Sequence, residues 1–191
     1  LIVVGLAGDP EHGELFQKWG SALAEASETV GVTSDRLVYL SDAKEDTRVN
    51  GRATREEINS ALTGFAEAAA PEAVVYVVLV GHGSYDGSTA RFNLPGPDMT
   101  PDDFNVLLEK LPARNIVFVN TSSSSGPFVE VLSAPGRTII TATRNGAERF
   151  TTLFGGYFVE AFSDGAADGD KNERVSMLEA FQYAKNEVAR A

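Results

Sequence analysis

Hydrophobic residues in this chain fall in short solid runs, and amphipathic stretches separate them. Leu1–Leu6, Arg36–Leu40, Ala73–Val80, Asn115–Asn120 and Thr138–Thr143 read as strands. Ala73–Val80 is the strongest of these. It is apolar throughout, as a strand covered on both faces must be. Between Glu14 and Thr29, Leu15, Phe16, Trp19, Leu23 and Ala26 recur at helical spacing. Thr54 and Glu57 form a T-x-x-E capping box that opens a second helix, ending near Ala70. Thr100 with Pro101 starts a third, a cap followed by proline at the first helical position, running to Leu111. Thr152–Phe162 and Ser176–Ala191 are also helical in pattern. Ser41–Arg52 is polar and reads as an exposed loop, Gly81–Gly87 as a turn-rich one, and Arg91–Leu94 as a short hairpin arm.

Strands alternating with helices predict an α/β fold, a three-layer α/β/α sandwich around a mostly parallel sheet. No internal repeat or composition shift divides the chain, so residues 1–191 are expected to form a single domain. A chain of 191 residues can bury a full core without staples.

Charge then removes several classes of function. The net charge is -11. Such a surface opposes nucleic-acid binding, which needs cations to replace counterions, and docking on anionic membranes. No apolar run reaches the roughly 18 residues that span a bilayer. The chain has no cysteine, hence no disulfide and no thiolate metal site. It opens on Leu1, Ile2, Val3, Val4 and Gly5, the middle of a strand, without a start methionine. A trimmed N terminus is therefore expected, and an exported or cell-envelope location stays open.

In parallel α/β sheets, sites form beyond the carboxyl ends of the strands. Two loops there stand out: Gly81–Ser84, holding His82, and Thr121–Gly126, holding four consecutive serines. Only one helix, Pro101–Leu111, separates the two strands that feed them. A right-handed crossover puts both carboxyl ends on one edge of the sheet. If the strands are neighbours, His82 faces the serines across roughly 5 Å of strand spacing plus loop reach. A histidine between glycines beside a small nucleophile suits acyl transfer, with backbone N–H groups free to meet an oxyanion. Each motif also has a plain structural reading: a tight turn with a solvated histidine, and a flexible serine loop or helix cap.

The order of strand, His82-Gly83, strand, serine loop with Ser125-Gly126, and strand resembles the caspase–legumain cysteine peptidases, and the legumain-type bacterial members in particular. Thr138–Thr143 with Arg144–Glu148, Gly51–Arg55 before a helix, and Gly5–Asp9 after the first strand extend the likeness over most of the chain. The resemblance implies a caspase-like fold. It also implies that His82 is the catalytic histidine and that Gly83 N–H belongs to an oxyanion hole. Ser123 takes the nucleophile position, or Ser122 if the register is off by one. The Arg144–Glu148 loop would shape specificity, and the partner would be a peptide or protein, with no cofactor required.

The missing cysteine is the departure. A hydroxyl is a far weaker nucleophile than a thiol without a well-placed base. A natural pseudo-peptidase, a cysteine replaced by serine, and a true Ser-His hydrolase are three accounts of it. A peptide-binding or scaffolding module that does not cleave is the reading from another class. Glu148 and Asp86, with His12 near the cleft, are candidate substrate contacts favouring basic residues. Oligomeric state does not follow from the sequence.

Asp168, Asp170, Asn172, Arg174, Ser176 and Glu179 fall at the spacing of an EF-hand loop, so Ca2+ is a candidate structural ion. Position 6, where such loops want glycine, is Glu173. Ser176 and Glu179 equally form a capping box for the last helix. Gly5–Gly8 lacks the spacing of a dinucleotide loop, and no Walker motif occurs. Trp19, Phe150, Phe154, Tyr157, Phe158 and Phe162 are expected in the core, and His12 in a polar loop.

Overall fold

A computed structural model describes residues 1–42, 46–150, 152–163 and 165–191. Five parallel strands form the central sheet: β1 (Ile2–Val4), β2 (Tyr39–Leu40), β3 (Val74–Val80), β6 (Asn115–Asn120) and β7 (Arg137–Thr141), in the order β2-β1-β3-β6-β7. A separate antiparallel hairpin pairs β4 (Gly83–Tyr85) with β5 (Ala90–Phe92). The helices are α1 (Pro10–Thr29), α2 (Arg55–Ala68), α3 (Pro101–Leu108), α4 (Pro127–Leu132), α5 (Phe154–Glu160) and α6 (Met177–Arg190).

Alternation along each strand sends successive side chains to opposite faces, and this sorts the helices into layers. Val75, Val77 and Leu79 of β3 join Ile116 and Phe118 of β6 against Ile58 and Leu62 of α2, Phe104 and Leu108 of α3, and Phe128 of α4. Val78, Val80, Val117 and Val119 face the other way, toward Phe16 and Leu23 of α1, Phe154 and Phe158 of α5, and Ala180 and Ala184 of α6. The result is the predicted three-layer α/β/α sandwich. The second layer covers only the carboxyl half of the sheet. Val74 and Tyr76 are 45% and 43% exposed, so β3 is covered on both faces only from Val77 onward.

Caps set the helix starts. Asp9 accepts from His12 N at 2.9 Å, with Pro10 in the first turn, so α1 starts four residues before the apolar periodicity does. Thr100 and Asp103 form a full capping box on α3. On α2 only half of the predicted box forms: Thr54 accepts from Glu57 N at 3.3 Å. Phe154 and Phe158 are buried, and Tyr157 and Phe162 pack against that core, as does Trp19, whose ring lies 5.6 Å from Phe16. Phe150 is not core: it is 91% exposed, because it lies in the loop past β7, outside the layer that α5 covers. Part of the predicted Ser41–Arg52 loop, residues 43–45, lies outside the described residues.

Candidate active site

The strands carrying the two candidate loops are neighbours. Val78 pairs with Val119 and Leu79 with Asn120, both parallel, so the His82 loop and the serine loop leave the sheet side by side. They touch directly. Gly83 N–H donates to Ser123 Oγ at 3.3 Å, and Ser123 Oγ–H donates back to the Gly83 carbonyl at 3.0 Å. Only glycine fits at 83. A Cβ there would meet Ser122 Oγ at 2.8 Å and drive into the Ser123 carbonyl oxygen.

The four serines have four different situations. Ser122 is turned inward: its Oγ donates to Asn120 Oδ1 at 2.7 Å and its N–H to the same oxygen at 3.0 Å. Ser123 faces Gly83. Ser124 adopts φ 55°, with its N–H on the Glu148 carbonyl at 2.8 Å and a buried hydroxyl that finds no partner among the described residues. Ser125 Oγ accepts from Ala142 N at 3.1 Å and Thr143 N at 3.3 Å, which ties the loop to the end of β7. Gly126 N–H donates to Thr143 Oγ1 at 3.0 Å. All four serines are buried, so the loop is a packed element and not the flexible segment its composition suggests. The short helix α4 follows at once, with Pro127 in its first turn.

His82 points to α1, not to the serines. Its ring sits edge-on to His12, with centroids 4.7 Å apart, and edge-on to Phe16 at 5.0 Å. Among the described residues no hydrogen bond joins His82 to a serine hydroxyl. Burial is the main influence on its pKa and pushes it below the usual histidine value, and His12 adds to that; the Ala7 carbonyl and Asp9 pull the other way. His12 is not in a polar loop. It belongs to the first turn of α1, where Asp9 Oδ2 takes its Nδ1 at 2.7 Å. Asp9 was missed from the sequence, although Asp9-Pro10-Glu11 is a recognisable N-cap signature.

The candidate specificity residues are engaged locally. Asp86 accepts from Thr89 N, Ser88 N and Ser88 Oγ and pairs with Arg91 at 2.8 Å. These donors, the Thr89 N–H foremost, hold its carboxyl well below the usual carboxylate range. The Asp86 charge is thus paired with Arg91, both side chains partly exposed. Glu148 turns Oε1 onto Arg144 N and Asn145 Nδ2, both at 3.1 Å, which shapes the Arg144–Glu148 loop.

A family model for the peptidase C13 family matches residues 57–191. The chain belongs to the peptidase C13 family, that of the legumains. The matched stretch includes His82, Gly83 and the whole serine loop of this C13 domain, while β1, α1 and β2 lie before it. No curated protein sequence matches the chain. Among solved structures, the crystal structure of a Geobacter sulfurreducens protein, a structural-genomics target, is similar over 86% of this chain and 81% of its own, with TM-score 0.51 and 14% identity. At that identity the likeness speaks to the fold alone. Unlike β3 and β6, β1 and β2 rest on the fold and not on the family match, and with them the α1 cap that carries His12.

The acidic loop lies apart from these residues, before α6. Oxygens of Asp168, Asp170 and Glu179 come within 4.8 Å of one another. Asp168 accepts from Asn172 N at 3.1 Å and Glu173 N at 2.8 Å, and Asn172 Oδ1 accepts from Arg174 N at 2.9 Å. Glu179 Oε2 takes Ser176 N and Oγ, completing the capping box, while Oε1 takes Gly169 N at 3.0 Å. Glu173 makes the sharp turn that glycine would make, at φ 64°.

Proposed function

We propose that this C13 domain binds peptides on a peptidase scaffold and does not cleave them efficiently, with Ser123 standing at the nucleophile position. One observation carries the reading. The Ser123 hydroxyl both accepts from Gly83 N–H and donates to the Gly83 carbonyl. It thus occupies the N–H that an oxyanion would need, and its proton is directed at a carbonyl instead of at a base. His82 packs on His12 and Phe16, without the base–nucleophile hydrogen bond that would raise a serine's reactivity. The same facts weigh against a Ser-His hydrolase. Ser122 is the weaker candidate for the nucleophile position, because its hydroxyl is spent on Asn120.

The test compares the native chain with Ser123→Cys on a panel of peptides and esters. The native chain is expected to bind peptides with turnover at the level of buffer. The cysteine variant is expected to cleave at least about tenfold faster, since a thiolate needs less help from a base. Turnover by the native chain that disappears in Ser123→Ala would reverse the reading and establish a serine hydrolase.

We also propose that the Asp168–Glu179 loop takes calcium as a structural ion. The convergent oxygens of Asp168, Asp170 and Glu179 are hard donors of the type calcium prefers. Asn172 and Ser176 would add side-chain oxygens and Arg174 its carbonyl. Such an ion would stiffen the entry to α6 and take no part in peptide chemistry.

A further inference from the structure

We infer that His12, anchored by Asp9, is a positioning residue for His82. The inference rests on the reading of His82 as the histidine of the site. The anchoring is double. One oxygen of Asp9 takes the His12 backbone N–H at 2.9 Å and the other takes its ring Nδ1 at 2.7 Å. A helix cap needs only the first of these. The second fixes the plane of the His12 ring, and that ring is the one lying edge-on to His82, 4.7 Å between centroids at 62°. Phe16, one turn further along α1, closes the cluster at 5.0 Å from His82 and 5.5 Å from His12. The first two turns of α1 therefore build two sides of a seat, an imidazole and a phenyl ring, and the Asp9 cap holds the imidazole in place. The half-buried His82 ring is the piece that sits in it.

The seat has an electrostatic consequence that a purely steric one would lack. A positive charge on the His12 ring opposes a proton on His82. The Asp9 carboxylate works in the opposite sense. Among the described residues, His12 and Asp9 are the charged groups that act on His82. The loop after β1 adds the Ala7 carbonyl, and the serine loop presents hydroxyls and backbone. Burial does most to keep a proton off His82; His12 adds to that and Asp9 opposes it, at a residue that must be free of its proton to act as a base.

The chain has 2 histidines, so long-range proton–nitrogen spectra of the labelled native protein resolve both rings during a pH titration. His12→Phe keeps a ring against His82 and removes the second imidazole. The His82 midpoint is then expected to rise by about half a pH unit or more. Asp9→Asn keeps a good helix cap and removes the carboxylate, so the midpoint is expected to fall. Opposite shifts in two variants with unchanged amide spectra elsewhere support the inference. Midpoints that stay put, or move in the same direction, overturn it. Should His12→Phe fail to fold, His12→Gln removes the same charge and serves in its place. No substrate is present, so the outcome is independent of whether the chain binds or cleaves peptides.

Discussion

The serine loop after β6 and the acidic loop before α6 both force non-glycine residues into left-handed backbone. Ser124 has φ 55° in the first; Lys171 and Glu173 have 59° and 64° in the second. What holds the strain differs. Around Ser124 the constraint comes from outside the loop: Gly83, Thr143 and the Glu148 carbonyl all bind it, and its side chains are buried. Around Glu173 it comes from the loop itself, through the partly exposed Asp168 carboxylate, which accepts the loop's own N–H groups. Strained backbone persists where the surroundings over-determine it. The serine loop meets that condition through packing. The acidic loop gathers like charges to meet it, and each carboxylate raises the cost of the next.

If packing holds the serine loop, a single added methyl at its point of closest approach should break it. Gly83→Ala is expected to lose about 2–3 kcal/mol, the cost of overpacking a tight interior site. The loss would be read as a fall in the urea midpoint at constant slope. A variant as stable as the parent would mean that the two loops are not pressed together and would take the candidate site with it.

The two regions also share a device, the capping box, in different surroundings. On α3, Asp103 closes the box with Thr100 and pairs with Arg55 at 2.7 Å, each side chain about a third exposed. On α6, Glu179 closes its box with Ser176 at the surface. Asp103→Ala should cost about 1–2 kcal/mol, from the cap and the ion pair together. The pH dependence follows from the same contacts. Desolvation is the largest single influence on Asp103 and pushes its carboxyl up. The Thr100 N–H and hydroxyl and Arg55 outweigh it, so the net shift is downward. A carboxyl whose folded pKa is depressed contributes stability above its unfolded pKa. That contribution drains away as pH falls through the folded value. The gap between parent and Asp103→Ala should therefore be full at neutral pH and shrink in acid. A gap that is constant with pH would assign the cost to lost packing instead.

The sheet was legible because parallel strands are short solid apolar runs, and β3 and β6 were both placed correctly from such runs. That the His82 loop and the serine loop leave the sheet side by side followed from strand order. Three things were not legible. The arm Gly83–Tyr85 carries no apolar run, so its pairing with Ala90–Phe92 shows only in three dimensions. The six-residue helix α4 is too short for periodicity to register behind a serine run. The direction of His82, toward His12 and Phe16, depends on where α1 starts. Its start is written in Asp9 and Pro10, outside the apolar pattern that marks the rest of that helix.

The mildest change reads the acidic loop directly. Glu173→Gly replaces a Cβ held at φ 64° with a residue that tolerates this backbone. Relief of strain, less the extra freedom gained by the unfolded chain, should leave a stabilisation of about 0.5 kcal/mol. Calcium should then raise the melting midpoint of both proteins, and more in the variant. The reason is electrostatic: a divalent cation neutralises Asp168, Asp170 and Glu179 at once, and a relaxed turn lets them close on it at lower cost. Asp168→Asn should blunt the calcium effect while leaving the turn's backbone hydrogen bonds an acceptor. If millimolar calcium moves neither midpoint, the carboxylates serve the loop and the α6 cap alone. If calcium acts but Glu173→Gly gains nothing, the left-handed turn is already free of strain, and the contrast with Ser124 rests on burial only.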